Sequence, residues 1–252
     1  MKRIVKLFQQ KKAFVGYITI GDGGLEKSYQ SAKALIEGGV NFLELGVPFS
    51  DPVADGTVIS LASQRALTKQ TTLLDVLEVA KRLRQETEIP MILFTYFNPL
   101  LNYFSEDIFG QIKSAGIDGI LVVDLPVDEA KLYRKYCLAK GLAPIYVITK
   151  MTSDDRIRAI SDQAKGFLYY ACRLGTTGIK QDVPDDLTEQ MQRIKRITNL
   201  PVVVGFGIAT LKQSMAINQI ADGFVVGSLF VDAIANGITP QNLTQLAQSL
   251  LP

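Results

Sequence analysis

The sequence predicts an α/β protein folded as one domain over residues 1–252, a closed (β/α)8 TIM barrel with an extra N-terminal helix. Three observations lead there. Eight extended apolar segments recur with helical segments between them, the alternation that makes βαβ units and a parallel sheet. Glycines stand where those helices must stop before the next strand. The unusual polar residues gather just after the strands, on the side where a barrel builds its active face. An open doubly wound sheet is the alternative architecture that the same alternation permits.

Taken in order, the chain begins with a stretch in which Ile4, Val5, Leu7 and Phe8 are set among Lys2, Arg3, Lys6, Lys11 and Lys12. It lacks the uninterrupted apolar region of a secretory signal and reads as a short amphipathic helix covering one end of the fold. The strands fall at 14–20, 42–47, 91–96, 119–125, 143–149, 167–172, 202–207 and 223–227, with one helix expected after each. Leu73, Val76, Leu77, Ala80 and Leu83 lie on one helical stripe, as do Leu187, Met191, Ile194 and Ile197, and again Leu243, Leu246, Ala247 and Leu250. Thr72 and Ser105 stand at N-cap positions. Gly38-Gly39, Gly116 and Gly141 mark helix stops. No linker or low-complexity tract divides the chain.

Composition excludes several classes. With 252 residues and 47% hydrophobic content the chain can build one large core, though length alone does not separate one domain from two. A net charge of +2, with only small basic clusters, makes no nucleic-acid footprint. No apolar run approaches the roughly 18 residues of a membrane span. Cys137 and Cys172 are far apart and outside any CxxC spacing, so neither a disulfide framework nor a zinc site is expected, which suits a reducing cytoplasm. The chain has no histidine. That removes the commonest general base, the Ser-His and Cys-His pairs and the commonest metal ligand, and leaves proton transfer to Asp, Glu, Tyr, Lys or water.

The stretch 42–56, Phe-Leu-Glu-Leu-Gly-Val-Pro-Phe-Ser-Asp-Pro-Val-Ala-Asp-Gly, is where chemistry is expected. Strand side chains alternate between faces, so Leu43, Leu45 and Val47 form one set and Phe42, Glu44 and Gly46 the other. If the aliphatic set packs under helices, Glu44 points into whatever the sheet encloses, where burial raises a carboxyl pKa and makes a candidate general acid. A hidden Lys or Arg that satisfies Glu44 is the structural alternative. The following loop adds Asp51 and Asp55, and Asp124 ends the fourth strand. Three glycine-bearing turns, at 175–178, 205–207 and 227–228, each precede a helix. Glycine lets backbone approach a ligand, and a helix N-terminus favours an anion, so together they point to a phosphorylated small molecule, with Thr177 and Ser228 as added hydroxyl donors. Tyr17, Ile59, Phe94, Tyr96, Tyr169 and Phe206 are candidate walls of a flat apolar pocket.

The 43–56 motif closely resembles the signature of the tryptophan synthase α-subunit family. The similarity continues through Thr19-Ile20-Gly21-Asp22, Tyr96-Phe97-Asn98-Pro99-Leu100, Val123-Asp124-Leu125-Pro126, Thr177-Gly178, Gly205-Phe206-Gly207-Ile208 and Val226-Gly227-Ser228. The resemblance implies a lyase that splits indole-3-glycerol phosphate into indole and glyceraldehyde 3-phosphate by a retro-aldol reaction without a cofactor of its own. It implies Glu44 as the acid/base, Asp55 as the carboxylate holding the indole N–H, and Thr177 as a contact of that aspartate when its loop closes. Gly178, Gly207, Gly227 and Ser228 match phosphate contacts, and Tyr169 a tyrosine near the reacting carbons. It further implies a cytoplasmic α2β2 heterotetramer with a β subunit that carries pyridoxal phosphate and receives indole through a tunnel, docked near 50–56, 98–104 and 126–129.

Five positions depart from the family pattern: Gly23 and Thr57 in place of prolines, Ser60 in place of glutamine, Cys172 in place of serine, and Leu174 in place of a small residue. They bear on turnover and on coupling between subunits. Two further readings stay open on the sequence: a catalytically weak subunit kept as an allosteric activator of the β subunit, and another phosphosugar enzyme of the same barrel.

Overall fold

The strands close into a ring because each pairs in parallel with its neighbours in sequence. The computed structural model describes residues 1–172 and 183–252. Its strands are β1 (Ala13–Thr19), β2 (Phe42–Gly46), β3 (Met91–Thr95), β4 (Gly119–Val122), β5 (Ala143–Thr149), β6 (Leu168–Ala171), β7 (Val202–Gly205) and β8 (Gly223–Val226). They run in the order β1 to β8, and β8 pairs back onto β1, so the barrel is closed and the open sheet is excluded. In register, Tyr17 lies opposite Glu44, and Gly46 opposite both Thr19 and Phe94.

Alternation along the strands sorts the core into two bodies. Leu43, Leu45 and Val47 belong to the outer one, with Ala32 and Leu35 of α2 (Leu25–Glu37) and Val76, Ala80 and Leu83 of α4 (Leu73–Arg84). Val15, Phe42, Ile92, Leu121, Ile145, Phe167, Val203 and Val225 fill the barrel interior. The N-terminal helix α1 (Lys2–Gln10) adds Ile4 and Leu7 to that interior body and sets Phe8 against Phe167, ring centroids 6.0 Å apart. It therefore plugs the end from which the strands start.

The helix stops and caps fall where the residue types place them. Gly39, Gly116 and Gly141 take the left-handed backbone, with φ of 97°, 91° and 66°. Thr72 and Asp75 form a capping box on α4, and Ser105 accepts from the Ile108 N–H of α6 (Glu106–Ser114). The helix count differs from one per strand. β2 is followed by α3 (Thr57–Thr68) before α4, β3 by the five-residue α5 (Phe97–Leu101) before α6, and β8 by α11 (Ser228–Ala235) and α12 (Pro240–Gln248). The remaining helices are α7 (Lys131–Ala139), α8 (Asp154–Gln163), α9 (Leu187–Ile197) and α10 (Leu211–Ile220). Several strands also end early, β4 at Val122 and β7 at Gly205, because the chain leaves the ladder to shape the mouth. Among the described residues no helix is long and apolar enough to cross a membrane.

At the start of the strands, buried Asp118 is held on several sides. It accepts from Arg84 Nη2 at 3.2 Å, Arg3 Nη1 at 3.3 Å and the Met91 backbone N–H at 3.3 Å, tying α1, α4 and β3 together. Arg84 also donates to the carbonyls of Gly116, Thr87 and Ile89.

Candidate active site

Glu44 sits in the middle of β2 on its interior face and is 0% exposed. Among the described residues neither of its carboxyl oxygens has a hydrogen-bond partner, and it forms no ion pair, so no Lys or Arg satisfies it there. Burial alone pushes its pKa up to about 8, leaving it protonated at neutral pH.

Asp55 arrives by a different route. The loop after β2 turns through backbone bonds from Val53 N–H to Asp51 and from Asp55 N–H to Pro52, and Gly56 then caps α3. Of the two loop aspartates, Asp51 faces water and Asp55 is buried. Burial raises Asp55 to about 6, while a hydrogen bond from the Tyr96 hydroxyl to Oδ2, 3.1 Å long, pulls the other way. The same hydroxyl accepts from the Ala54 N–H at 3.0 Å, and the Tyr96 ring packs on Phe49 at 5.1 Å. Tyr96 therefore acts as a clamp on the Asp55 loop rather than as a bare wall. The site thus pairs a carboxyl that is neutral at pH 7 with a carboxylate that is ionised, the separation that acid–base chemistry uses.

The other expected site residues divide between the two core bodies. Tyr17 and Ile59 belong to the interior cluster, and Phe94 and Tyr169 pack against it. Tyr17 meets Phe94 edge to face at 5.1 Å. A Cβ at Gly205 would stand 2.3 Å from the Tyr169 hydroxyl, so glycine on β7 leaves that tyrosine its space. Phe206 lies in the outer cluster, because it follows inward-facing Gly205 by one residue. Asp124 accepts from the Phe97 N–H at 2.7 Å and so fixes the start of α5. Sequence reasoning missed the Tyr96 clamp; the signal was that Tyr96 shares the face of Phe94.

The glycine turns also separate. Gly207 has φ of 88° and leads into α10, whose start is closed by a capping box of Thr210 and Gln213. Gly227 precedes α11 with no side-chain cap, and buried Ser228 is the first residue of that helix. The first-turn N–H groups of α11 thus remain for an anion. Thr177, Gly178 and Leu174 lie outside the described residues. Of the other departures, Thr57 opens α3, Ser60 follows it half-buried, and Cys172 is buried at the end of β6. Gly23 has φ of 79°, which a proline cannot adopt, so the backbone of this loop is incompatible with proline at that position. Among the described residues no three His, Cys, Asp or Glu side chains come together as a metal site.

Known proteins share this chain's sequence pattern and fold. Residues 5–250 match the family model described as tryptophan synthase alpha chain. The chain is 54% identical to the tryptophan synthase alpha chain of Coxiella burnetii (strain CbuK_Q154) over 252 residues, covering 100% of this chain and 98% of the relative. It is 45% identical to that of Chlamydia felis over 256 residues, covering 100% and 99%. Among solved structures, Mycobacterium tuberculosis tryptophan synthase superposes with a TM-score of 0.92 at 29% identity, covering 98% of this chain and 96% of that one. A mutant α subunit from Pyrococcus furiosus gives 0.88 at 32% identity, covering 95% and 98%.

Proposed function

The chain belongs to the tryptophan synthase alpha chain family, and on that premise we propose that Glu44 and Asp55 perform its chemistry. The chain is a lyase subunit that cleaves indole-3-glycerol phosphate to indole and glyceraldehyde 3-phosphate in tryptophan biosynthesis. The reaction needs a proton placed on indole C3 and another taken from the hydroxyl on the adjacent chain carbon. Protonated Glu44 delivers the first to C3. Positive charge develops on the ring nitrogen, where ionised Asp55 accepts the N–H and stabilises it. The carboxylate left on Glu44 takes the hydroxyl proton as the C3–chain bond breaks. The bond electrons return to the ring, the chain carbon becomes the aldehyde, and Glu44 is protonated again. The observation that carries this reading is the buried Glu44 carboxyl, without a hydrogen-bond partner among the described residues, together with a second buried carboxyl of lower pKa on the loop after the same strand.

We assign the phosphate to the uncapped N-terminus of α11 with Gly227 and Ser228, together with Gly207 and Gly178, and the indole to Tyr17, Ile59, Phe94 and Tyr169. The proposal uses side chains alone and leaves pyridoxal phosphate to the β subunit. That partner docks on the mouth as an α2β2 heterotetramer in the cytoplasm, and we take 1–252 as one domain. Exposed apolar side chains on the loops after β2 and β3, Val53, Leu101 and Tyr103, suit such a contact. A purely regulatory subunit has no use for an unsatisfied buried carboxyl, which favours the lyase.

The test is the pH profile of indole release by the purified chain with a cognate β subunit. A bell is expected, falling below about 6 as Asp55 is protonated and above about 8 as Glu44 loses its proton. A profile flat across that range would remove both carboxyls from these roles.

A further inference from the structure

One level above Glu44, toward the mouth, two hydroxyls share the interior face of β1. Tyr17 begins opposite Glu44, but its ring runs toward the strand ends and across to β2, where its hydroxyl lies 2.4 Å from the place a Cβ at Gly46 would take. Glycine at 46 is thus what seats this hydroxyl. Thr19 lies opposite Gly46, and its Oγ1 is 3.3 Å from the Tyr17 hydroxyl. Both residues are buried, at 4% exposure each, and among the described residues neither side chain makes another hydrogen bond.

Two hydroxyls carry two donor hydrogens, and the bond between them uses one. The other donor is left buried without an acceptor, which is unfavourable unless a ligand supplies one. The surroundings narrow what that ligand group is. Asp55, ionised at neutral pH, acts electrostatically on Tyr17, so an anion is disfavoured there. An apolar group leaves the donor unmet. A neutral hydroxyl meets both conditions.

We propose that Tyr17 and Thr19 form a polyol subsite that receives a hydroxyl of the substrate's glycerol chain and holds that chain against Glu44. The inference rests on the reading of Glu44 and Asp55 as the reacting carboxyls. The phosphate end is gripped elsewhere and the Tyr17 ring serves the indole wall, so the two hydroxyls select for the oxygenation of the segment between them. Tyr17 and Thr19 are specificity-determining residues in this scheme, with no proton moved by either.

The test compares two compounds: indole-3-glycerol phosphate, and its analogue in which an unsubstituted propyl chain replaces the glycerol. Tyr17→Phe keeps the ring and its packing on Phe94. It is expected to raise KM for the true substrate about tenfold, the worth of one such hydrogen bond, and to leave the inhibition constant of the propyl analogue unchanged. Thr19→Val is expected to show the same selectivity, and neither variant should move the limbs of the pH profile. Equal weakening of both compounds would make Tyr17 a packing residue and overturn the proposal, as would no weakening of either. Failure of the unmutated chain to cleave the substrate would instead strike at the reading of the active site itself.

Discussion

Asp118 at the start of the strands and Glu44 at the middle of β2, facing the barrel interior, are hidden from water to the same degree, at 1% and 0% exposure, yet their surroundings differ in kind. Asp118 is met by Arg84, Arg3 and a backbone N–H. Glu44 is met, among the described residues, by nothing. The difference teaches how to tell a structural carboxylate from a working one. A buried charge with its cations in place ties elements together, and removing one partner leaves the other stranded. A buried carboxyl with no partner costs stability in its ionised form and persists where a substrate is to meet it. The division follows the barrel, one end for stability and the other for chemistry.

The largest expected effect is on the working carboxyl. Glu44→Gln should lower turnover by about a thousandfold, within the range that loss of one acid–base group gives, with the folded structure intact. Near-normal turnover by the soluble variant would collapse the distinction. The same variant has a pH signature. Because burial raises the pKa of Glu44, the native state holds a proton that the unfolded chain gives up. This group's contribution to stability is therefore fully present below the ordinary carboxyl range and is lost as pH rises toward about 8. Glutamine should flatten that decline.

Next in size is the reverse experiment at the other end. Asp118→Asn should cost about 3 kcal/mol in denaturant unfolding, since it leaves the half-buried Arg84 uncompensated, while the folded fraction keeps its kcat. A large loss of kcat with unchanged stability would show that the two ends are not divided as described. The smallest effect sharpens the contrast within the mouth itself. Tyr96→Phe removes the hydrogen bond that lowers the Asp55 pKa, so turnover should fall about tenfold and the acid limb of the pH profile should move upward. An unmoved limb would make Tyr96 a wall after all.

Much of this was legible in the sequence because it depends on period and parity. The two-residue repeat across 42–47 put Glu44 inside and Leu43, Leu45 and Val47 outside, and the structure keeps both sets. Thr72, Ser105, Gly39, Gly116 and Gly141 act through local backbone chemistry, which a sequence displays directly. What escaped was settled by contacts between distant segments. The Tyr96 clamp on Asp55 joins residues 41 positions apart; the face that Tyr96 shares with Phe94 gives its direction, and the partner comes from a distant loop. The short α5 contains Asn98-Pro99 and reads as a turn; Asp124, 27 positions from Phe97, holds its start. Phe206 looked like a wall because glycines flank it, yet strand alternation sends it to the outer core.

The plug formed by α1 has a consequence for traffic. With Ile4, Leu7 and Phe8 seated against the interior residues, the barrel is stopped at the end where its strands start, which among the described residues leaves the opposite rim as the way to Glu44. Substrate must enter, and both products must leave, past the same rim of loops. Whatever sits on that rim controls the order of departure: a subunit docked there can take up the apolar fragment as it emerges, while the charged aldehyde fragment waits for the door to clear.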